Sequence, residues 1–360
     1  MLAATSTTVG SNNGAAPMTD TADIADATEP ARWLAACPVH AATPMRSLDA
    51  LARELGWASL DAKDESGRMG LGSFKALGGA YAVMTLVRER LLLMGCDADE
   101  AALVASHRPD LGLTVCCASA GNHGLSVAAG AAVFGVACEV FLAASVPESF
   151  AERLREKGAT VVRAGAIYEE AMAAARERAR ADGVTLVSDA AWEGEVRVPS
   201  LVMQGYAVMA EEIRDYFAAS GTWPTHVALQ AGVGGIAATV AAHIRRTWDE
   251  QPQITVVEPD RAPCLQASVE AGRLTHAPGA VSNMGRLDCK DASLVGFETL
   301  RETADRFVTV TDEEAETATR RLAAHGLETS PSGAAGLAGM IAHAPHGARV
   351  LVLMTEGAIA

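Results

Sequence analysis

Aromatic side chains are scarce: Phe, Trp and Tyr together make up 4% of the 360 residues. The interior must therefore be built mainly from Ala, Val and Leu layers. No apolar run reaches membrane-spanning length without charges or turn residues, so no membrane partner is expected. Positive charge is also short, with 29 Lys and Arg against 44 Asp and Glu. The resulting formal charge of -15 disfavours nucleic acid and anionic membranes. The seven cysteines (Cys37, Cys96, Cys116, Cys117, Cys138, Cys264 and Cys289) form no CxxC pair. Several lie in apolar segments, which fits buried free thiols in a reducing cytoplasm better than a disulfide framework or a zinc site. His226, His243, His276 and His325 show no metal spacing, and no metal is expected. The first residues have neither a basic region nor a signal-like apolar core, and 1–30 reads as a loosely ordered extension.

What is present is a compact globular composition, with 49% hydrophobic and 20% charged residues over a length that favours two domains. Thr114–Cys117, Cys138–Leu142, Thr160–Arg163 and Thr185–Val187 read as strands, separated by helical patterns at Gly124–Phe134, Val146–Lys157 and Tyr168–Ala181. Pro147 suits the first turn of its helix. A second set follows: a helix over Leu201–Tyr216, a strand at His226–Leu229 and a helix over Gly235–Thr247. Strands at Ile254–Val257 and Val350–Met354 complete it, with a helix over Thr311–His325 that Thr311 and Glu314 can cap as a box. The rhythm predicts an α/β fold of two open, mainly parallel twisted sheets covered by helices on both faces. A smaller α/β domain at 76–191 is expected to interrupt a larger one formed by 31–75 and 192–360, with a ligand in the cleft between them. Residues 260–296 resist regular assignment and suggest a functional or interface loop.

Three segments carry candidate chemistry. Lys75 follows the flexible run Gly70-Leu71-Gly72-Ser73 and opens a long apolar stretch; alone it reads more readily as a solvated helix-start lysine than as a cofactor lysine. Gly232-Val233-Gly234-Gly235 follows a strand and precedes a helix, where converging N–H groups and the helix field suit a phosphate. It has neither the dinucleotide GxGxxG spacing nor a Walker ending, and an ordinary βα turn is the plain alternative. Ser119-Ala120-Gly121-Asn122-His123-Gly124 also joins a strand to a helix. Its N–H groups and the Ser119 hydroxyl suit a substrate carboxylate, while His123 reads as a residue that fixes the loop. Cys116 and Cys117 are expected to pack internally.

Together these segments resemble the tryptophan-synthase-like group of pyridoxal-phosphate enzymes, which includes threonine and serine dehydratases. A more particular resemblance, to the diaminopropionate ammonia-lyase family, rests on Gly70-Leu71-Gly72-Ser73-Phe74-Lys75-Ala76-Leu77-Gly78-Gly79 and Asp189-Ala190-Ala191-Trp192-Glu193-Gly194. Pro199, Met203-Gln204-Gly205-Tyr206-Ala207, Val257-Glu258-Pro259-Asp260 and Thr355-Glu356-Gly357 extend it, so that it covers most of the chain from Thr43 onward. The resemblance implies pyridoxal 5'-phosphate held covalently by Lys75, which would also remove the substrate Cα proton. It implies Asn122 against the cofactor ring oxygen, Gly232, Val233, Gly234 and Gly235 around its phosphate, and Thr355 facing the pyridine nitrogen. Ser119, Ala120, Gly121 and His123 would surround the substrate. Asp189 is a candidate second acid/base or ammonium-binding group, or else a cap for the Trp192-Glu193-Gly194 turn.

One position departs from the ammonia-lyase pattern. An aspartate tied to proton removal from D-substrates is replaced by Ala120, whose methyl group cannot act as a base. An L-substrate route through Lys75 survives that change. The expected reaction is β-elimination from L-2,3-diaminopropionate to pyruvate and ammonia; the alternative is an L-threonine, L-serine or 3-hydroxy-amino-acid dehydratase. A non-enzymatic ligand sensor is the reading from a different class. The resemblance also implies a homodimer.

Overall fold

Alternate residues of the strands point to opposite sides of two sheets, and that period of two organises the whole interior. The computed structural model describes residues 24–37, 39–99, 109–119 and 121–358. Most of the expected extension at 1–30, and Ala120, lie outside them. Among the described residues the strands are β1 (Met45–Ser47), β2 (Ser59–Asp64), β3 (Thr114–Ala118), β4 (Ala137–Leu142) and β5 (Thr160–Arg163). They continue as β6 (Val184–Leu186), β7 (His226–Gln230), β8 (Gln253–Pro259), β9 (Arg306–Val310) and β10 (Arg349–Met354). One sheet has the order β1-β2-β10-β7-β8-β9, the other β5-β4-β3-β6. All pairs are parallel except β1 with β2, where Met45 faces Lys63.

Val227 and Val256 of the larger sheet share one buried cluster with Val115 and Val140 of the smaller, so a single core runs between the sheets. The neighbouring residues Ala228 and Val257 turn to the other face and pack with Leu322 and Leu337. Cys116 and Phe141 do the same on the smaller sheet, against Ala171 and Ala175.

The expected helices are present with ends moved by a few residues. Pro147 is corrected: it precedes Glu148–Glu156 as its N-cap, at φ -56° and ψ 146°, rather than standing in the first turn. The Thr311–Glu314 capping box is formed, with the Glu314 N–H donating to Thr311 Oγ1 at 3.2 Å and the Thr311 N–H donating to Glu314 Oε2 at 2.7 Å. Three strands were not foreseen. β1 is a short edge, and β9 is half solvent-facing. β2 carries Asp61, Lys63 and Asp64 into the interior. Lys63 is tolerated there because its ammonium donates to Thr43 O at 2.7 Å and meets Glu212 at 2.6 Å.

The helix Lys75–Leu93 runs between Asn122–Val133 and Arg197–Ser220. Its crossing with the latter is made by glycines. A Cβ on Gly78 would stand 2.4 Å from Tyr206 Cε1, and one on Gly205 would stand 2.6 Å from Leu77 O. That approach fixes the first turn of the lysine helix against the larger sheet's layer.

Candidate active site

The carboxyl ends of parallel strands deliver the site, as expected where open α/β sheets meet. Ser119 follows β3, Asp189 follows β6, the Gly232–Gly235 loop follows β7, and Thr355 follows β10. Lys75 enters from the other direction, as the first residue of its helix. Just before it, Ser73 bridges to Glu356, and the Phe74 N–H donates to Thr355 O at 3.2 Å.

Lys75 Nζ donates to Asp189 Oδ2 at 2.7 Å. Burial opposes the charge on each group, but their mutual attraction prevails. It holds the Lys75 amine above the usual lysine range and the Asp189 carboxyl below the usual carboxylate range. The ammonium lies 5.2 Å from the centre of the Phe74 ring and 5.7 Å from that of Tyr206. The Tyr206 hydroxyl is buried without a hydrogen-bond partner among the described residues, and burial pushes its pKa up to about 12. Asp189 faces Lys75; the Trp192-Glu193-Gly194 turn is closed instead by paired backbone bonds between Trp192 and Glu195. Glu193 sits in that turn.

The glycine loop is shaped for an anion. Gly234 has φ 101°, a left-handed conformation that side chains disfavour. The Gly232 carbonyl accepts from Cys264 Sγ at 3.5 Å, and the Val233 carbonyl accepts from the Ser293 N–H at 2.9 Å. In trans peptides those carbonyls send the N–H groups of Val233 and Gly234 the opposite way. A Cβ at Gly232 would stand 3.0 Å from Cys289 Sγ. At β10, Gln230 Nε2 donates to Leu353 O at 2.8 Å and reaches Thr355 Oγ1 at 3.4 Å, so the threonine oxygen is held as an acceptor.

On the smaller sheet, the Gly121 N–H donates to Ser119 Oγ at 3.2 Å. His123 Nε2 donates to Val187 O at 2.8 Å, which ties the loop after β3 to the loop after β6. Burial lowers the His123 pKa, so the ring is neutral and its buried Nδ1 keeps a lone pair. Asn122 gives its amide to Glu356 Oε2 at 2.5 Å. Glu356, almost fully buried, also takes the Ser330 hydroxyl and lies 3.7 Å from Arg286 Nε. Cys116 and Cys117 are buried, and burial pushes the Cys116 thiol up to about 12, which leaves it inert.

Lys75, Asp189, Asn122, His123, the glycine loop and Thr355 are thus brought together at the carboxyl ends of strands from both sheets. Tyr206, Gln230, Arg286 and Glu356 were not singled out from the sequence. Tyr206 and Glu356 lie within the matching segments Met203-Gln204-Gly205-Tyr206-Ala207 and Thr355-Glu356-Gly357, and Arg286 lies in the irregular 260–296 segment, with no local signal of its own. Pyridoxal phosphate fits this donor set: an amine at Lys75, a buried Tyr206 hydroxyl with no hydrogen-bond partner among the described residues, and Val233 and Gly234 N–H groups turned away from the carbonyls that Cys264 and Ser293 occupy. Among the described residues no His, Cys, Asp or Glu group could hold a metal ion.

Residues 37–356 match the family model described as "Pyridoxal-phosphate dependent enzyme". Diaminopropionate ammonia-lyase of Escherichia coli strain K12 is 32% identical over 339 residues, covering 88% of this chain and 84% of that protein. The holo crystal structure of diaminopropionate ammonia lyase from Escherichia coli superposes with a TM-score of 0.83 at 28% identity, over 93% of this chain and 90% of that one. The crystal structure of a T.th. threonine deaminase gives a TM-score of 0.75 at 25% identity, over 94% and 98% of the two chains.

Proposed function

The chain belongs to the pyridoxal-phosphate-dependent enzyme family, and from that premise we propose that it is an ammonia-lyase acting on L-2,3-diaminopropionate. With one water, the substrate yields pyruvate and two molecules of ammonia. The Lys75–Asp189 pair carries this reading. Bound pyridoxal phosphate supplies the electron sink that weakens the substrate Cα–H bond. Lys75 Nζ would hold the cofactor and, as a free amine, is placed to accept the Cα proton. Asp189 favours that transfer because its carboxylate stabilises the ammonium form of Lys75. The same carboxylate suits the β-ammonium of the substrate. Val233 and Gly234 would offer N–H groups to the cofactor phosphate, with Gly232 and Gly235 completing the loop, Gly232 packed against Cys289 and Arg286. Thr355, its oxygen held by Gln230, would offer a neutral hydroxyl to the ring nitrogen, a partner that suits elimination. Asn122, held by Glu356, borders the ring oxygen. Ser119, Ala120, Gly121 and His123 would border the substrate, and an alanine at position 120, which cannot act as a base, leaves the L-substrate route through Lys75.

The proposal extends to a cytoplasmic homodimer, which the seven free cysteines suit. It also includes a division into 1–30, 31–75 with 192–360, and 76–191. No helix among the described residues is long and apolar enough to cross a membrane.

Two measurements test the reading. Borohydride reduction and peptide mass spectrometry should place the cofactor on Lys75. Pyruvate release should be fastest with L-2,3-diaminopropionate, compared with L-serine and with oxobutyrate release from L-threonine. Faster turnover of the hydroxy-amino acids would make the protein a dehydratase instead.

A further inference from the structure

Arg286 spans the site from the phosphate side to the substrate side. Its carbonyl oxygen lies 3.1 Å from where a Cβ on Gly232 would stand, and its N–H donates to Ser332 Oγ at 3.1 Å. The main chain is therefore fixed beside the glycine loop. The side chain crosses to the opposite loop, placing Nη1 2.9 Å and Cζ 3.4 Å from where a Cβ on Gly121 would stand. Gly121 has φ -147° and ψ -159°, extended backbone open to any residue. What excludes a side chain at position 121 is the guanidinium, not the backbone angle.

We infer that Arg286 binds the α-carboxylate of the amino-acid substrate alongside the Ser119–Gly124 loop. This rests on the amino-acid reading of the site given above. The loop's own donors are partly committed, since the Gly121 N–H is turned to Ser119 Oγ. The Lys75 ammonium is neutralised by Asp189. In a chain of formal charge -15, a guanidinium beside the loop adds a local attraction for an anionic group. The Arg286 side chain is 33% exposed, and its planar fork matches a carboxylate. Glu356, 3.7 Å from Nε and already holding Asn122, orients the guanidinium toward the loop.

The test uses cofactor-loaded enzyme and two probes, glycine and methylamine, which share an amine but differ in the carboxylate. Binding is read by calorimetry and by the cofactor absorbance. In Arg286→Gln the Kd for glycine should rise about 10- to 100-fold, while that for methylamine stays within about 2-fold. Arg286→Lys, which keeps the charge and loses the fork, should fall between, and it serves alone if the Gln variant does not fold. An unchanged glycine Kd, or glycine and methylamine weakening together, overturns the assignment. So does a loss of pyridoxal phosphate affinity, which would give the guanidinium to the phosphate. Glycine has no β-substituent, so its binding reports on Arg286 whether or not the protein eliminates ammonia.

Discussion

Lys75 and Asp189, both partly buried, hold each other's charge across 2.7 Å. Asp189→Asn removes that attraction while keeping the shape. With its main counter-charge gone, the Lys75 pKa should fall, and the acidic limb of the pH–rate profile, where Nζ must be neutral to accept the proton, should move to lower pH. Turnover should drop about 100- to 10,000-fold, because the proton accepted at Nζ is no longer stabilised. The cofactor adduct should still be trapped on Lys75 by borohydride. A profile that keeps its shape and rate would show that Asp189 takes no part in the proton transfer.

Among the elements, the helix Cys264–Ala271 shows how a distant residue finishes a local structure. Its N-cap is Pro263, which offers no side-chain acceptor. Glu258, at the end of β8, supplies one instead, accepting from the Leu265 N–H and the Gln266 N–H at 2.8 Å each. Burial pushes the Glu258 pKa up to about 7 despite those bonds. A carboxyl whose folded pKa lies above its unfolded value of 4.5 takes up a proton on folding between the two. Its contribution is therefore complete below pH 4.5 and is lost as the pH rises toward 7. Urea unfolding at the two ends of that window should show a loss of about 1–3 kcal/mol in the parent protein. Glu258→Gln should be flatter over the same window; an equal slope would remove Glu258 as the cause. Elements of this kind were legible from pattern where the pattern was apolar. β3 and β4 read as strands because Val, Cys and Phe fill them, and β7 because of Val227, Ala228 and Leu229. β2 did not, because Asp61, Lys63 and Asp64 imitate a surface segment until Glu212 and Thr43 are brought beside Lys63.

Across the whole molecule, the helix of Lys75 is the member shared by both sheets' layers, and its seat is the Gly78–Gly205 crossing. Gly205→Ala would place a methyl 2.6 Å from Leu77 O and 2.8 Å from the Gly78 Cα. The helices must then separate, at a cost of about 1–3 kcal/mol. Thermal melting should record the loss, and the fraction of Lys75 modified at limiting pyridoxal phosphate should fall with it. A variant that melts lower yet loads cofactor normally would show that the crossing serves stability alone.

Local signals were enough to establish the alternating α/β architecture, the lysine segment and the glycine loop. A turn after a strand, or an amine at a helix start, is written in adjacent residues. The pairing of Lys75 with Asp189, 114 positions apart, and of Asn122 with Glu356, 234 apart, was left to the tertiary structure. So was the path of Arg286 between two loops. Such contacts gain their strength from shared burial and from a neighbouring charge, and neither exists until separate strands end at the same place.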